Sequence, residues 1–245
     1  MGFTSVVGLV LMRSALALFA VSTLIAYGCR EVAAGERAAT LVFHASSSGQ
    51  QTLDAGEGGG NPFASALIEI VQRSSFALPE LAGELKRLTA AKSSGFQAAD
   101  GPGIVVDKAW TLTPAAAGET RRALVLVVSD YRRSGGAQSL PGAKRDAERV
   151  AAALARAGFE TETAIDLDAQ AMRAKLSEFA VSTANADAAA IYTTGHGVEV
   201  AGKIHLLPGD YPISGGSGAL GSRAIGLDAI AGALQARRVN LLFYG

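Results

Sequence analysis

The residue best placed for chemistry in this chain is His196, which follows an apolar run at residues 191–194 and lies between Gly195 and Gly197. A histidine side chain titrates near neutral pH and can act as a general base, and flanking glycines leave room for a substrate beside the ring. The same pattern is also found in a simple turn after a strand, where the histidine has only a structural role. Taken alone, these residues therefore leave both interpretations open.

Composition excludes several classes of function. The chain has 245 residues, 49% of them hydrophobic and 18% charged, with a formal net charge of zero, which is typical of one globular domain with an apolar appendage. Its basic residues are scattered and lack interleaved aromatic residues, so no nucleic acid partner is expected. The single cysteine, Cys29, excludes an internal disulfide framework, and the three histidines show no ligand spacing. Neither a metal nor a cofactor is expected.

The N-terminal segment differs in kind from the rest. Between Met1 and Arg30 its only charged residue is Arg13, and an apolar stretch ending in small residues follows. This pattern predicts a signal peptide at residues 1–28, or a membrane anchor if the segment is retained. The expected location is therefore outside the cytoplasm or at the membrane, in the periplasm or cell envelope.

The elements that would position His196 lie beyond a loop-like linker at residues 113–120. Apolar residues predict strands at residues 123–128, 188–192, 204–207 and 239–244, and alternating residues predict another at 159–165. Helical spacing predicts helices around residues 143–154, 172–179 and 226–236. Alternating strands and helices predict an α/β fold with a mainly parallel, doubly wound sheet, helices on both faces and catalytic groups at the carboxyl ends of strands. His196 lies at such an end.

The region before the linker also has an α/β pattern. Residues 40–45 and 109–112 are predicted strands, and a glycine-rich loop occupies residues 54–60. Asn61 and Pro62 are suited to the N-cap and first turn of a helix that continues to Ile70. A second helix is predicted after Pro79.

From residue 121 onward the chain resembles the caspase-like cysteine peptidases, the caspase/metacaspase family in its bacterial type. The resemblance implies a three-layer caspase-like fold, cysteine endopeptidase activity on a peptide or protein substrate, and His196 as the catalytic histidine. The resemblance rests on the order and spacing of several motifs. These are Ser129-Asp130-Tyr131-Arg132, Leu140-Pro141-Gly142-Ala143, Ala157-Gly158-Phe159, Thr194-Gly195-His196-Gly197, Leu206-Leu207-Pro208-Gly209-Asp210 and the strand at residues 239–244.

The order of the segments differs from that of the family. Residues 29–112 resemble the C-terminal part of a caspase-like domain, whereas residues 121–245 resemble the N-terminal part, which predicts a circular permutation with residues 113–120 joining the old ends. The family's nucleophile follows the strand that residues 239–244 resemble. Gly28-Cys29-Arg30 resembles the family's Cys-Arg step. The resemblance thus implies Cys29 as the nucleophile, with backbone N–H groups of Gly197 and Cys29 holding the oxyanion.

Two aspartates are candidate substrate-binding residues. Asp130 lies where the family places specificity residues and would meet a basic P1 side chain, although a turn aspartate that caps local N–H groups is an alternative. Asp210 resembles the family's aspartate after the strand that follows the histidine, and would order its loop.

Three departures from the family keep an alternative open, and the first is that the loop from Cys29 to Thr40 is short for the family. Tyr27 stands where the family has an acid, and residues 14–28 would have to serve both as export signal and as active-site strand. The alternative is a catalytically inactive or truncated caspase-like domain that binds peptides or proteins, or one whose cysteine comes from a partner.

Overall fold

The structure, a computed structural model, describes residues 37–56, 59–103, 109–134 and 137–245, the side chains of residues 215–217 excepted. Its helices are Pro62–Val71 (α1), Leu81–Lys92 (α2), Pro141–Arg156 (α3), Ala169–Thr183 (α4), Leu220–Arg223 (α5) and Leu227–Ala231 (α6). Its strands are Thr40–His44 (β1), Phe76–Ala77 (β2), Thr111–Thr113 (β3), Arg121–Val127 (β4), Glu160–Ile165 (β5), Ala188–Thr194 (β6), Gly197–Val200 (β7), Lys203–Leu206 (β8), Ile225–Gly226 (β9) and Val239–Tyr244 (β10).

Five parallel strands form the central sheet in the order β1-β10-β6-β4-β5. Two small antiparallel sheets accompany it, one of β2 and β3 and one of β7, β8 and β9. The predicted α/β fold with a mainly parallel sheet is confirmed. Of the hairpin of β7 and β8, only β8 was predicted. The helix expected at residues 226–236 is shorter and ends at Ala231; it begins at Leu227 because Ile225 and Gly226 pair with β8.

Helices cover both faces of this sheet, so the fold has three layers. Along β4, Ala123, Val125 and Val127 belong to a core shared with α1, α2 and α3, whereas Leu124 and Leu126 belong to a core shared with α4. Side chains in a strand alternate between the two faces, and a strand buried on both faces therefore reads as a continuous apolar run. This explains why β4 was recognisable in the sequence.

The strand nearest the start of the described chain lies beside the last one. β1 pairs with β10 in parallel, Thr40 with Asn240 and His44 with Tyr244, and the Ala45 N–H donates to the Tyr244 carbonyl oxygen over 2.8 Å. Residues on both sides of the predicted linker thus contribute to one sheet. The carboxyl ends of β1, β10 and β6 consequently meet at one edge.

Asn61 joins α1 to the rest of the fold. Its side-chain oxygen accepts hydrogen bonds from the N–H groups of Phe63 and Ala64 over 2.8 and 3.3 Å, which confirms the predicted N-cap. Its own N–H donates to the fully buried Asp146 carboxylate of α3 over 2.7 Å. Burial raises the pKa of Asp146, and the Asn61 N–H and the Arg149 guanidinium oppose that rise. The start of α1 is thereby fixed against α3.

Candidate active site

A cleft of about 1020 Å³ opens where the carboxyl ends of β1, β10 and β6 meet. Loops at this edge of a parallel sheet commonly hold binding and catalytic groups, because they radiate from the ends of rigid strands. Residues lining the cleft include His44, Asp54, Gln138, His196, Glu199 and Tyr244.

His196 is half-buried and its ring has a defined orientation. Nε2 lies 2.7 Å from the carbonyl oxygen of Gln138. A carbonyl oxygen only accepts hydrogen bonds, so Nε2 must carry the proton when the ring is neutral. Nδ1 is then the unprotonated nitrogen that can accept a proton. Sequence reasoning did not find Gln138, because the contact uses its backbone and depends on how the loop folds.

Gly197, the predicted oxyanion donor, begins β7 and lines the cleft. A Cβ atom at this position would overlap the hydroxyl group of Tyr244 at the end of β10, so a larger residue here would have to displace that side chain. The structure thus explains the glycine by packing. Its role as an oxyanion donor stays a prediction.

One loop borders the cleft opposite His196. The fully buried Gln97 holds both ends of residues 45–53, since its Nε2 donates to the Ala45 carbonyl over 2.9 Å and its Oε1 accepts from the Leu53 N–H over 3.0 Å. In the middle of the loop, the Ser48 hydroxyl donates to the Glu199 carboxylate over 2.8 Å. The loop therefore has fixed ends and an exposed centre that reaches β7.

The charged side chains of the cleft are acidic. Asp54, Asp100 and Glu199 line it, and no Lys or Arg is among its described lining residues. His44 adds a second imidazole, whose pKa is lowered because it is partly buried, although Asp100 opposes that effect. The described lining thus favours cationic ligands over anionic ones.

Neither predicted substrate-binding aspartate is among the described residues that line this cleft. Asp130 pairs with Arg132, which holds the pKa of that carboxyl well below its usual range. Asp210 accepts from the Arg223 guanidinium over 2.7 Å, so it does tie its own loop to a neighbouring helix. Their roles toward a substrate stay predictions.

Asp166 is an important residue that the sequence did not indicate. It follows β5, and its Oδ1 accepts from the N–H groups of Ser129 and Asp130 over 2.6 and 2.9 Å. These two residues begin the loop that ends near Gln138. Asp166 therefore supports, from the neighbouring strand, the loop that orients His196.

Replacing Asp166 by alanine is expected to lower the free energy of unfolding by about 1–3 kcal/mol, because two backbone N–H groups lose their acceptor. Asp166 also has a φ of 57°, which alanine tolerates poorly and asparagine tolerates better. Asp166→Asn keeps one oxygen and is the matched control, with a smaller expected loss. Denaturant unfolding would measure both, and an alanine variant as stable as the wild type would contradict this role.

Cys29, the predicted nucleophile, lies outside the described residues, as does the predicted signal segment 1–28. Within the described part of the chain, no helix is both long and apolar enough to cross a membrane. The described residues likewise contain no group of three or more His, Cys, Asp or Glu side chains arranged to hold a metal ion.

Comparison with known proteins gives one family. Residues 120–240 match the peptidase family model described as "Caspase domain". The matched segment extends from the start of β4 into β10 and includes His196, Gln138 and Asp166. No curated protein matches the chain significantly. The match supports a caspase-like family for this chain and, with it, cysteine peptidase activity in general.

Proposed function

We propose that the chain is a cysteine-type endopeptidase in which His196 activates the thiol of Cys29, and that its segments are circularly permuted. The observation that best supports the proposal is the environment of His196. Its Nε2 is held by the Gln138 carbonyl at the cleft where three parallel strands end. An imidazole with one nitrogen fixed and the other free to take a proton is what a thiol nucleophile needs.

The place for the nucleophile is at the end of β10. β10 and β6 run parallel with Tyr244 opposite Thr193, and the Gly245 N–H donates to the Thr193 carbonyl over 2.8 Å. A residue that continued this strand would lie beside Gly195 and His196. Tyr27-Gly28 precedes Cys29, and the similar pair Tyr244-Gly245 stands at the end of β10, which supports Cys29 as the residue for that place.

Chain length allows Cys29 to reach this place. The eleven residue steps from Cys29 to Thr40, the first residue of β1, span at most about 36–40 Å when extended. β1, which begins at Thr40, has five residues and is about 17 Å long. The connection can therefore pass from the start of β1 back to the carboxyl edge of the sheet.

The proposed reaction follows from these positions. His196 Nδ1 takes the proton of the Cys29 thiol, and the thiolate attacks the carbonyl carbon of the scissile bond. The oxyanion accepts hydrogen bonds from the N–H groups of Gly197 and Cys29. His196 then gives its proton to the leaving amine, and water hydrolyses the thioester to release the acid and restore the thiol.

A basic P1 side chain fits this cleft best. Asp54, Asp100 and Glu199 supply negative charge, and the described lining has no Lys or Arg that would attract an acidic side chain. These cleft carboxylates form our proposed origin of the specificity. The N-terminal segment is proposed to direct the protein to the cell envelope, and cleavage before Cys29 would leave the nucleophile in the mature chain.

The proposal is tested by labelling the full chain with peptide acyloxymethyl ketones that carry Arg or Asp at P1. We expect the Arg probe to label the wild type faster than the Asp probe and to leave Cys29→Ala unlabelled. A chain shortened to residues 29–245 should be labelled equally well. Folded protein that neither probe labels would favour the peptide-binding, inactive alternative.

A further inference from the structure

The loop at residues 129–140 holds His196 at two separate points. The Gln138 carbonyl contacts the imidazole Nε2, and the Tyr131 hydroxyl contacts the backbone of the same residue. The loop is itself closed, since the Leu140 N–H donates to the Ser129 carbonyl over 2.8 Å. Both contacts thus come from described residues of one loop, and Asp166 anchors the start of that loop at Ser129 and Asp130.

Tyr131 makes its contact through a single, buried oxygen. The hydroxyl accepts from the His196 N–H over 2.7 Å and donates to the Leu207 carbonyl over 2.8 Å. The side chain is 1% exposed, so water cannot readily replace either bond. The two backbone groups come from different elements, one following β6 and the other following β8, and the hydroxyl joins them.

The surroundings leave this hydroxyl little freedom. The Leu207 N–H donates to the His196 carbonyl over 2.8 Å, so His196 is held on both of its backbone groups. A Cβ atom on Gly195 would lie 2.7 Å from the Tyr131 oxygen, which makes glycine necessary at that position. The Tyr131 and His196 rings also pack with their centres 4.5 Å apart and their planes tilted by 60°.

We propose that Tyr131 is a positioning residue, which fixes the backbone and ring of His196 so that Nε2 faces the Gln138 carbonyl and Nδ1 faces the cleft. The catalytic consequence rests on the proposed function, because it requires His196 to act as the base. The structural consequence, which is the orientation of the His196 ring, does not depend on the proposed function. Without the hydroxyl, the His196 N–H and the Leu207 carbonyl lose a shared buried partner, and the ring loses the constraint that keeps Nε2 on Gln138.

The direct test is the tautomer of the His196 ring, read from long-range ¹⁵N–¹H NMR in wild type and Tyr131→Phe. We expect the Nε2–H form to dominate in the wild type and to fall to a mixture in the variant. Tyr192→Phe is the matched control, because it removes another fully buried tyrosine hydroxyl, one that makes no hydrogen bond to His196. It should leave the tautomer unchanged.

The kinetic readout separates this inference from the proposed function. A misplaced catalytic group costs up to about 10²-fold, so Tyr131→Phe should lower kcat by about 10-fold to 10²-fold with little change in KM. A wild type with no peptidase activity would contradict the proposed function but would leave the tautomer result to decide the role of Tyr131. A folded Tyr131→Phe with wild-type tautomer and kcat would overturn the inference.

A measurement on the wild type keeps the inference testable if the variant does not fold. The His196 amide should exchange slowly with solvent, because its acceptor is a buried hydroxyl. The amides of the exposed residues Gln51 and Thr52 in the cleft loop provide a fast-exchanging reference. Exchange of the His196 amide as fast as this reference would show that the Tyr131 contact is not maintained in solution.

Discussion

Replacement of His196 by alanine is expected to lower peptide hydrolysis by about 10²–10⁴-fold, the range supplied by a well-placed general base. The proposed role gives His196 two proton transfers, one from the thiol and one to the leaving amine. Among the described side chains, the His196 ring is the one that the Gln138 carbonyl orients. Steady-state kinetics on a P1-Arg peptide would measure the loss, which should appear in kcat rather than in KM.

The control for this variant is His205→Ala. His205 is on β8, and its Nδ1 lies 3.1 Å from the Lys203 carbonyl, away from the described cleft lining. Its loss should leave the rate unchanged. Added imidazole should restore part of the activity of His196→Ala, since the missing side chain leaves room at the same place. Unchanged hydrolysis by a folded His196→Ala enzyme would contradict His196 as the base.

The placement of His196 was predictable because it depends on local patterns. Continuous apolar runs marked β4 and β6 as strands buried on both faces, and alternation with helices predicted the parallel sheet. The carboxyl end of β6 then followed from chain direction alone. The N-cap at Asn61 was similarly predictable, since its side chain bonds to residues two and three positions later.

The groups that orient His196 were not predictable, because their contacts are long-range. In the sequence, Tyr131 is recognisable only as part of a motif that the family shares and Asp166 only as an aspartate after a strand, and neither pattern indicates its contact. Their partners lie 65 and 37 positions away in sequence. Gln138 acts through a backbone carbonyl, for which side-chain chemistry gives no signal. The acidic lining of the cleft is likewise assembled from three separate loops or strands, contributing Asp54, Asp100 and Glu199.

Arg121→Met is expected to lower the free energy of unfolding by about 3–5 kcal/mol, because it leaves a buried carboxylate without its partner. The Arg121 side chain is 0% exposed and pairs with Glu119, which is 4% exposed, over 2.6 Å. The guanidinium also donates to the carbonyls of Leu112 and Thr111 over 2.7 and 2.9 Å. It thereby joins the segment before the linker to β4.

The same cluster predicts how the effect depends on pH. Burial alone would raise the pKa of Glu119, but hydrogen bonds from Trp110 and Arg121 outweigh it and lower the pKa below the ordinary value. A carboxyl with a lowered pKa in the folded state stabilises the fold fully above the unfolded-state pKa of about 4.3, and that stabilisation disappears as pH falls through the lower folded-state pKa.

Denaturant unfolding of wild type and Arg121→Met at a series of pH values would test this sign. The stability difference should be greatest near neutral pH and should shrink in acid, since protonation removes the uncompensated charge of Glu119 in the variant. Arg122→Met is the matched control, because the adjacent Arg122 pairs with Glu160 at the surface, where Glu160 is 68% exposed, and should cost about 1 kcal/mol or less. Equal losses in the two variants would show that burial of the Arg121 pair adds nothing, and the joint between the two segments would then depend on apolar packing alone.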